Sequence, residues 1–230
     1  MIQGFELDPD WPRMSLAQVD ALLTAPGSRL EMEEAVIRGR PVRVWKNAPP
    51  NLPSLVRLSR VHGERTATLY EGERVSYEAQ HRAIAALAGE LRRLGVGKGD
   101  RVAIAMVNLP EWPVAFFAAT ALGAIAVPLN AWWTGPELEY GLADSGAKLL
   151  IADAPRWLRI EPHRQALSAL EHVVVSRSQT LPAGAVRLED LIGAPAAWAS
   201  LPDAELPDAA IGPDDEATIL YTSGTTGRPK

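Results

Sequence analysis

The sequence of 230 residues contains no cysteine. That absence excludes disulfides, a thiolate nucleophile and cysteine zinc sites together, and it accords with a reducing compartment, for which the cytoplasm is the default expectation. Histidine is scarce as well: His62, His81, His163 and His172 have no metal-like spacing and no neighbouring carboxylate pattern of a catalytic relay. Basic side chains are not in excess, since 23 Lys and Arg stand against 28 Asp and Glu for a net charge of -5. Without an electrostatic footprint for a phosphodiester backbone, no nucleic-acid partner is expected. Long hydrophobic runs are missing too. The most apolar stretch, Val114 to Leu129 (VAFFAATALGAIAVPL), is shorter than the roughly 20 residues of a bilayer span and carries Thr120, Gly123 and Pro128, so it reads as a buried helix followed by a buried strand. The opening MIQGFELDPDWPR has neither a basic n-region nor an apolar h-region and does not read as a signal peptide.

What is present is the composition of an ordinary globular protein, 47% hydrophobic and 22% charged. Residues 1–53 read as a small attached module. Ser15 caps a short helix with apolar positions Leu16, Val19, Leu22 and Leu23 on one side, and Met32 to Trp45 forms two β-prone runs around Arg38, Gly39, Arg40 and Pro41. KNAPPNLP, Lys46 to Pro53, follows as a stiff connector, because consecutive prolines restrict the backbone and withhold amide donors.

Residues 54–230 change character. After a second hairpin in TATLYEGERVSY, with its turn at Glu71, Gly72 and Glu73, strands alternate with helices. Ser76 caps a helix to about Leu94, RVAIAMV is an unbroken apolar strand, and a helix from Glu111 to Leu122 leads into AIAVPL. Thr134, Gly135, Pro136 and Glu137 form a capping box, KLLIAD and HVVVS are further buried strands, and Asp153 with Pro155 caps the helix between them. This order predicts an α/β fold: a mostly parallel sheet with helices on both faces, plus the small N-terminal helix and hairpin module. Leu188 to Gly227 has no Lys or Arg and is punctuated by prolines 195, 202, 207 and 213, which predicts a solvated surface connector, and ATILYT (Ala217 to Thr222) predicts one more short strand.

That strand runs into TSGTTGRPK, Thr222 to Lys230. Gly224 and Gly227 permit a tight turn, Thr222, Ser223, Thr225 and Thr226 supply hydroxyls, and Lys230 supplies a cation, which together suit a polyphosphate at the end of a strand. It is not a Walker loop, because no glycine precedes the lysine. Asn108 and Glu111 fall at the same sheet edge, where helix capping explains them equally well, and the adjacent Trp132 and Trp133 read as packing, with an acyl or homodimer surface as the alternative.

TSGTTGRPK resembles the phosphate loop of the adenylate-forming (AMP-binding) enzymes, the superfamily of acyl-CoA synthetases, firefly luciferases and peptide-synthetase adenylation domains. Every position of the nonapeptide fits that signature, and Val75 to Asn130 is similar in order and spacing to the region that precedes it. ALGAIAVPLNAWWTGPELEY looks like the version found in acyl-CoA synthetases rather than in peptide synthetases. The resemblance implies a fatty-acid or other carboxylic-acid:CoA ligase that uses ATP, Mg2+ and coenzyme A, with Thr222 meeting the magnesium and Ser223, Gly224, Thr225, Thr226 and Gly227 around the phosphates beside Lys230. It also implies that the chain is the N-terminal fragment of a longer protein, since the later active-site elements of the family do not occur in it. The alternatives are a non-catalytic truncated homologue or split-enzyme partner, and a peptide-synthetase-type adenylation domain.

Overall fold

The computed structural model describes residues 14–181 and 183–222. The chain divides into two compact units, Met1–Pro49 and Pro50–Lys230.

In the first unit, α1 (Leu16–Leu23) starts at a capping box: Ser15 Oγ accepts from the Gln18 amide at 3.3 Å and Gln18 Oε1 accepts from the Ser15 amide at 2.8 Å. Strands β1 (Met32–Ile37) and β2 (Arg40–Trp45) pair antiparallel with Ile37 opposite Arg40. The turn is therefore tighter than the four residues expected. Arg38 and Gly39 alone make it, both at positive φ (49° and 77°), the two-residue geometry whose twist matches the strands. Of the apolar positions of α1 only Val19 is half-buried, and Leu16 is 90% exposed. One helix and one hairpin offer too few layers to bury a stripe.

The second unit opens with α2 (Leu52–Ser59), whose cap is Asn51: its Oδ1 accepts from the Ser54 amide at 2.9 Å. Pro53, expected in the connector, lies in the first turn of this helix, where a missing amide donor costs nothing. Strands β3 (Thr66–Tyr70) and β4 (Glu73–Ser76) form the second hairpin around Glu71 and Gly72, and Ser76 caps α3 (Tyr77–Arg93). The sheet follows: β5 (Arg101–Ala105), α4 (Glu111–Ala121), β6 (Ile125–Pro128), α5 (Gly135–Ser145), β7 (Leu149–Asp153), α6 (Ala154–Ile160), β8 (His172–Ser176), β9 (Ala185–Arg187) and α7 (Leu188–Ile192).

The five strands are parallel in the order β6-β5-β7-β8-β9. Alternate residues serve opposite faces. Val102, Ile104, Leu149, Ile151 and Val174 pack under α3, α4 and α7, while Ala103, Ala105, Leu150, Ala152, Val173 and Val175 pack under α5 and α6. Because both faces are covered, every residue of β7 is buried, which is why these strands read as continuous apolar runs. The C-terminus of α5 is closed by Arg101, which donates to the Ser145 and Gly146 carbonyls at 2.9 and 2.8 Å, with Gly146 left-handed at φ 59°.

Two expectations need correction. The segment after Leu188 is not simply a solvated connector: α7 and a 3-10 helix over Pro195–Ser200 form within it, Trp198 is fully buried with its Nε1 donating to the Gly193 carbonyl at 3.0 Å, and Leu206 is buried. Lacking cations of its own, the segment takes them from the core elements. Arg60 pairs with Asp203, Lys98 with Asp215, and Arg82 donates to the Leu201 carbonyl. The strand expected at Ala217 to Thr222 is reduced to a single parallel bridge between Ala126 and Thr218. Among the described residues no helix is long and apolar enough to cross a membrane.

Candidate active site

The carboxyl ends of the parallel strands gather the polar residues that sequence reasoning singled out. Helices α4 and α6 lie on opposite faces, so the chain direction switches between β5 and β7, the place where open α/β sheets leave a crevice. Here Asp153 closes it. Its Oδ1 accepts from the Arg156 amide at 3.0 Å, capping α6 as expected, and its Oδ2 accepts from the Val107 amide at 3.0 Å and from Arg156 Nη1 at 2.9 Å. Arg156 and Arg159 also donate to the Ala131 carbonyl, at 2.9 and 3.1 Å, and hold the loop after β6.

Glu111, at the start of α4, is buried and chelated by Arg177, whose Nε and Nη2 donate to its two oxygens at 2.8 and 3.2 Å. The same guanidinium binds Glu73 and lies 5.4 Å from the centre of the Tyr70 ring. Glu111 therefore braces the sheet edge against the β3–β4 hairpin. The two tryptophans divide: Trp133 packs against the core, whereas Trp132 is 79% exposed with the Arg156 guanidinium 5.9 Å from its ring.

Beside these braces a cleft of about 430 Å³ opens between the ends of β5 and β6, walled by Asn108, Trp112, Asn130, Trp132, Leu220 and Tyr221. Asn108 thus does face a cavity. The chain reaches it from the edge of β6: the Ala126 amide donates to the Ala217 carbonyl at 2.9 Å and the Ile219 amide to the Ala126 carbonyl at 3.0 Å. Since this bridge is parallel, the residues after it emerge at the carboxyl edge, and Thr222 stands there, exposed. Ser223, Gly224, Thr225, Thr226, Gly227 and Lys230 lie outside the described residues.

One residue tied to this last segment escapes the sequence pattern. Asp144 accepts a hydrogen bond from the Tyr221 hydroxyl at 2.7 Å. Burial, and then the Asp144 carboxylate, push the Tyr221 phenol well above its ordinary pKa, so it remains a donor throughout the working range of pH. The signal available was an acidic side chain in the last turn of α5, where the helix dipole disfavours negative charge.

Residues 56–230 match the family model of the AMP-binding enzymes. The chain belongs to that family. Among curated relatives, it is 37% identical over 175 residues to a feruloyl-CoA synthase of Amycolatopsis sp, covering 76% of this chain and 31% of that protein. It is 38% identical over 159 residues to the long-chain-fatty-acid–CoA ligase FadD13 of Mycobacterium tuberculosis, covering 68% and 29%. The chain thus spans about a third of the length of these AMP-binding relatives. Among known structures, an anthranilate CoA ligase, AuaEII, in complex with anthranoyl-AMP superposes with a TM-score of 0.69 at 28% identity over 80% of this chain and 35% of that one. The N-terminal domain of FACL13 from Mycobacterium tuberculosis gives 0.61 at 31% identity over 79% and 43%. The α/β fold with its parallel sheet is that of the family's N-terminal domain.

Proposed function

We propose that this chain carries the phosphate-binding side of an ATP-dependent carboxylic acid:CoA ligase. The observation that carries the reading is the parallel bridge at Thr218, which sends Thr222, the first residue of the TSGTTGRPK loop, to the carboxyl edge of the sheet beside an open cleft. In the reaction, a carboxylate oxygen of the acid attacks the α-phosphorus of ATP, and the bond to the bridging oxygen breaks to release pyrophosphate. The coenzyme A thiol, giving up its proton, then attacks the acyl carbon of the mixed anhydride and AMP departs. Both nucleophiles are substrates, so the protein's share is orientation and charge stabilisation, which needs no Ser, His or Cys nucleophile.

A magnesium ion would arrive on the nucleotide's phosphates, with the Thr222 hydroxyl as the oxygen donor that this chain would add. Lys230, with the amides and hydroxyls of Ser223 to Gly227, would offset the charge of the β- and γ-phosphates. For the acid we favour a fatty acyl chain: the cleft has the apolar walls Trp112, Trp132 and Leu220, and FadD13 is a long-chain-fatty-acid ligase.

The test is carboxylate-dependent ATP–pyrophosphate exchange by the complete protein, with long-chain fatty acids and ferulate compared in one panel. Exchange with fatty acids is the expected result. Exchange with ferulate alone would overturn the acyl assignment, and exchange with no acid of a panel extended to anthranilate and short-chain acids would overturn the ligase reading itself. Lys230→Ala should slow the exchange by roughly 10- to 1000-fold, the scale of one lost charge-stabilising donor.

A further inference from the structure

The geometry between α5 and the last described residues supports a deeper assignment, which rests on the phosphate-loop reading. Backbone bonds tie Ala217 and Ile219 to the β6 edge at Ala126. Two residues on, the tie is a side chain: Tyr221 Oη donates to Asp144 Oδ2 at 2.7 Å, with the Gly141 carbonyl at 3.4 Å. The Tyr221 ring meets the Trp133 ring edge-on, with centroids 5.8 Å apart and planes at 70°. Trp133 in turn packs closely against α5 at Gly141, where a Cβ would stand 2.9 Å from Leu129 Cδ2 and 3.0 Å from Trp133 Cζ3. Tyr221 is thus held by its ring and by its hydroxyl, one residue before the loop begins.

Asp144 is not required to end α5, because Arg101 and Gly146 already do so, and a carboxylate in the last helical turn is electrostatically unfavourable. Its use lies across the gap, at Tyr221. We propose that Asp144 and Tyr221 are positioning residues for the phosphate loop: the carboxylate fixes the tyrosine hydroxyl, and the clamped tyrosine sets the direction in which the chain leaves the sheet at Thr222.

Steady-state kinetics of the complete protein tests this. Tyr221→Phe keeps the ring and loses only the hydroxyl, and it should raise the KM for Mg-ATP about 10-fold, the worth of one hydrogen bond to a charged partner, while the KM for the acid stays within about twofold. Asp144→Ala should do the same, the double variant should be no worse than either single one, and Asp144→Asn, which retains an acceptor, should restore most of the ATP affinity. Hydrogen exchange of a peptide covering residues 217–226 should quicken in Tyr221→Phe with the melting temperature retained. An unaltered KM for ATP in Tyr221→Phe, or strictly additive effects in the double variant, would overturn the assignment while leaving the ligase reading intact. A wild-type protein without exchange activity would overturn both.

Discussion

The two units of this chain obey the same local rules with opposite results. Met1–Pro49 has a capping box at Ser15 and a two-residue turn at Arg38 and Gly39, yet none of its described residues is buried, and Leu16 and Val36 are 90% and 75% exposed. Pro50–Lys230 uses the same devices, with a serine cap at Ser76 and a two-residue turn at Glu71 and Gly72, but its central strands β5, β7 and β8 are shut between helical layers. Caps and turns decide where elements start and stop. Burial requires a second layer on each apolar face, and only the sheet unit supplies it.

The contrast can be broken or sharpened by substitution. Asp153→Ala should have the largest effect, about 3–5 kcal/mol of stability, because it leaves buried Arg156 unpaired and removes the acceptor of two amides. Urea unfolding followed by tryptophan fluorescence measures it, and a loss below about 1 kcal/mol would show the pair to be dispensable. Ile151→Ala in β7 should lose about 2–5 kcal/mol on the same curves. Its counterpart Leu16→Ala in α1 should change stability by no more than about 0.5 kcal/mol, and comparable losses in both would erase the distinction between the units.

A pH effect belongs to the sheet unit as well. His81 is 1% exposed in α3, and neither ring nitrogen has a partner among the described residues. Burial holds its pKa below the ordinary 6.5, with Arg60 lowering it further against the opposing pull of Glu78, Glu205 and Asp203. Well above pH 6.5 both folded and unfolded chains carry it neutral. Below that value the unfolded chain takes up a proton that the folded one refuses, so stability should decline as the pH falls towards and through the folded-state pKa. His81→Phe should flatten that part of the pH-stability curve, and an unchanged slope would assign it to other groups.

Much of this was legible in the sequence because the relevant physics is local. The serine and threonine caps, the existence of the two hairpins, and the unbroken apolar runs of β5, β7 and β8 each report on a few neighbouring residues. The short parallel β9 was not legible, since Ala185–Arg187 pairs only because β8 lies beside it. Nor was the burial of Trp198, which sits in a stretch whose prolines and acids read as surface until Arg60, Arg82 and Lys98 draw it onto the core.

At the candidate site, the phosphate-loop signature is written in consecutive residues, and so the chemistry it suggests could be read without coordinates. The pairing of Asp144 with Tyr221 joins residues 77 positions apart, and nothing in either neighbourhood announces the other. By itself the sequence determined the kind of fold, the caps that start several of its helices and the family, because spacing, capping and motif are short-range properties of the chain. Tertiary structure alone decided which apolar faces are covered, which carboxylates serve as braces, and which side chain clamps the root of the loop, because those depend on contacts between segments that only folding brings together.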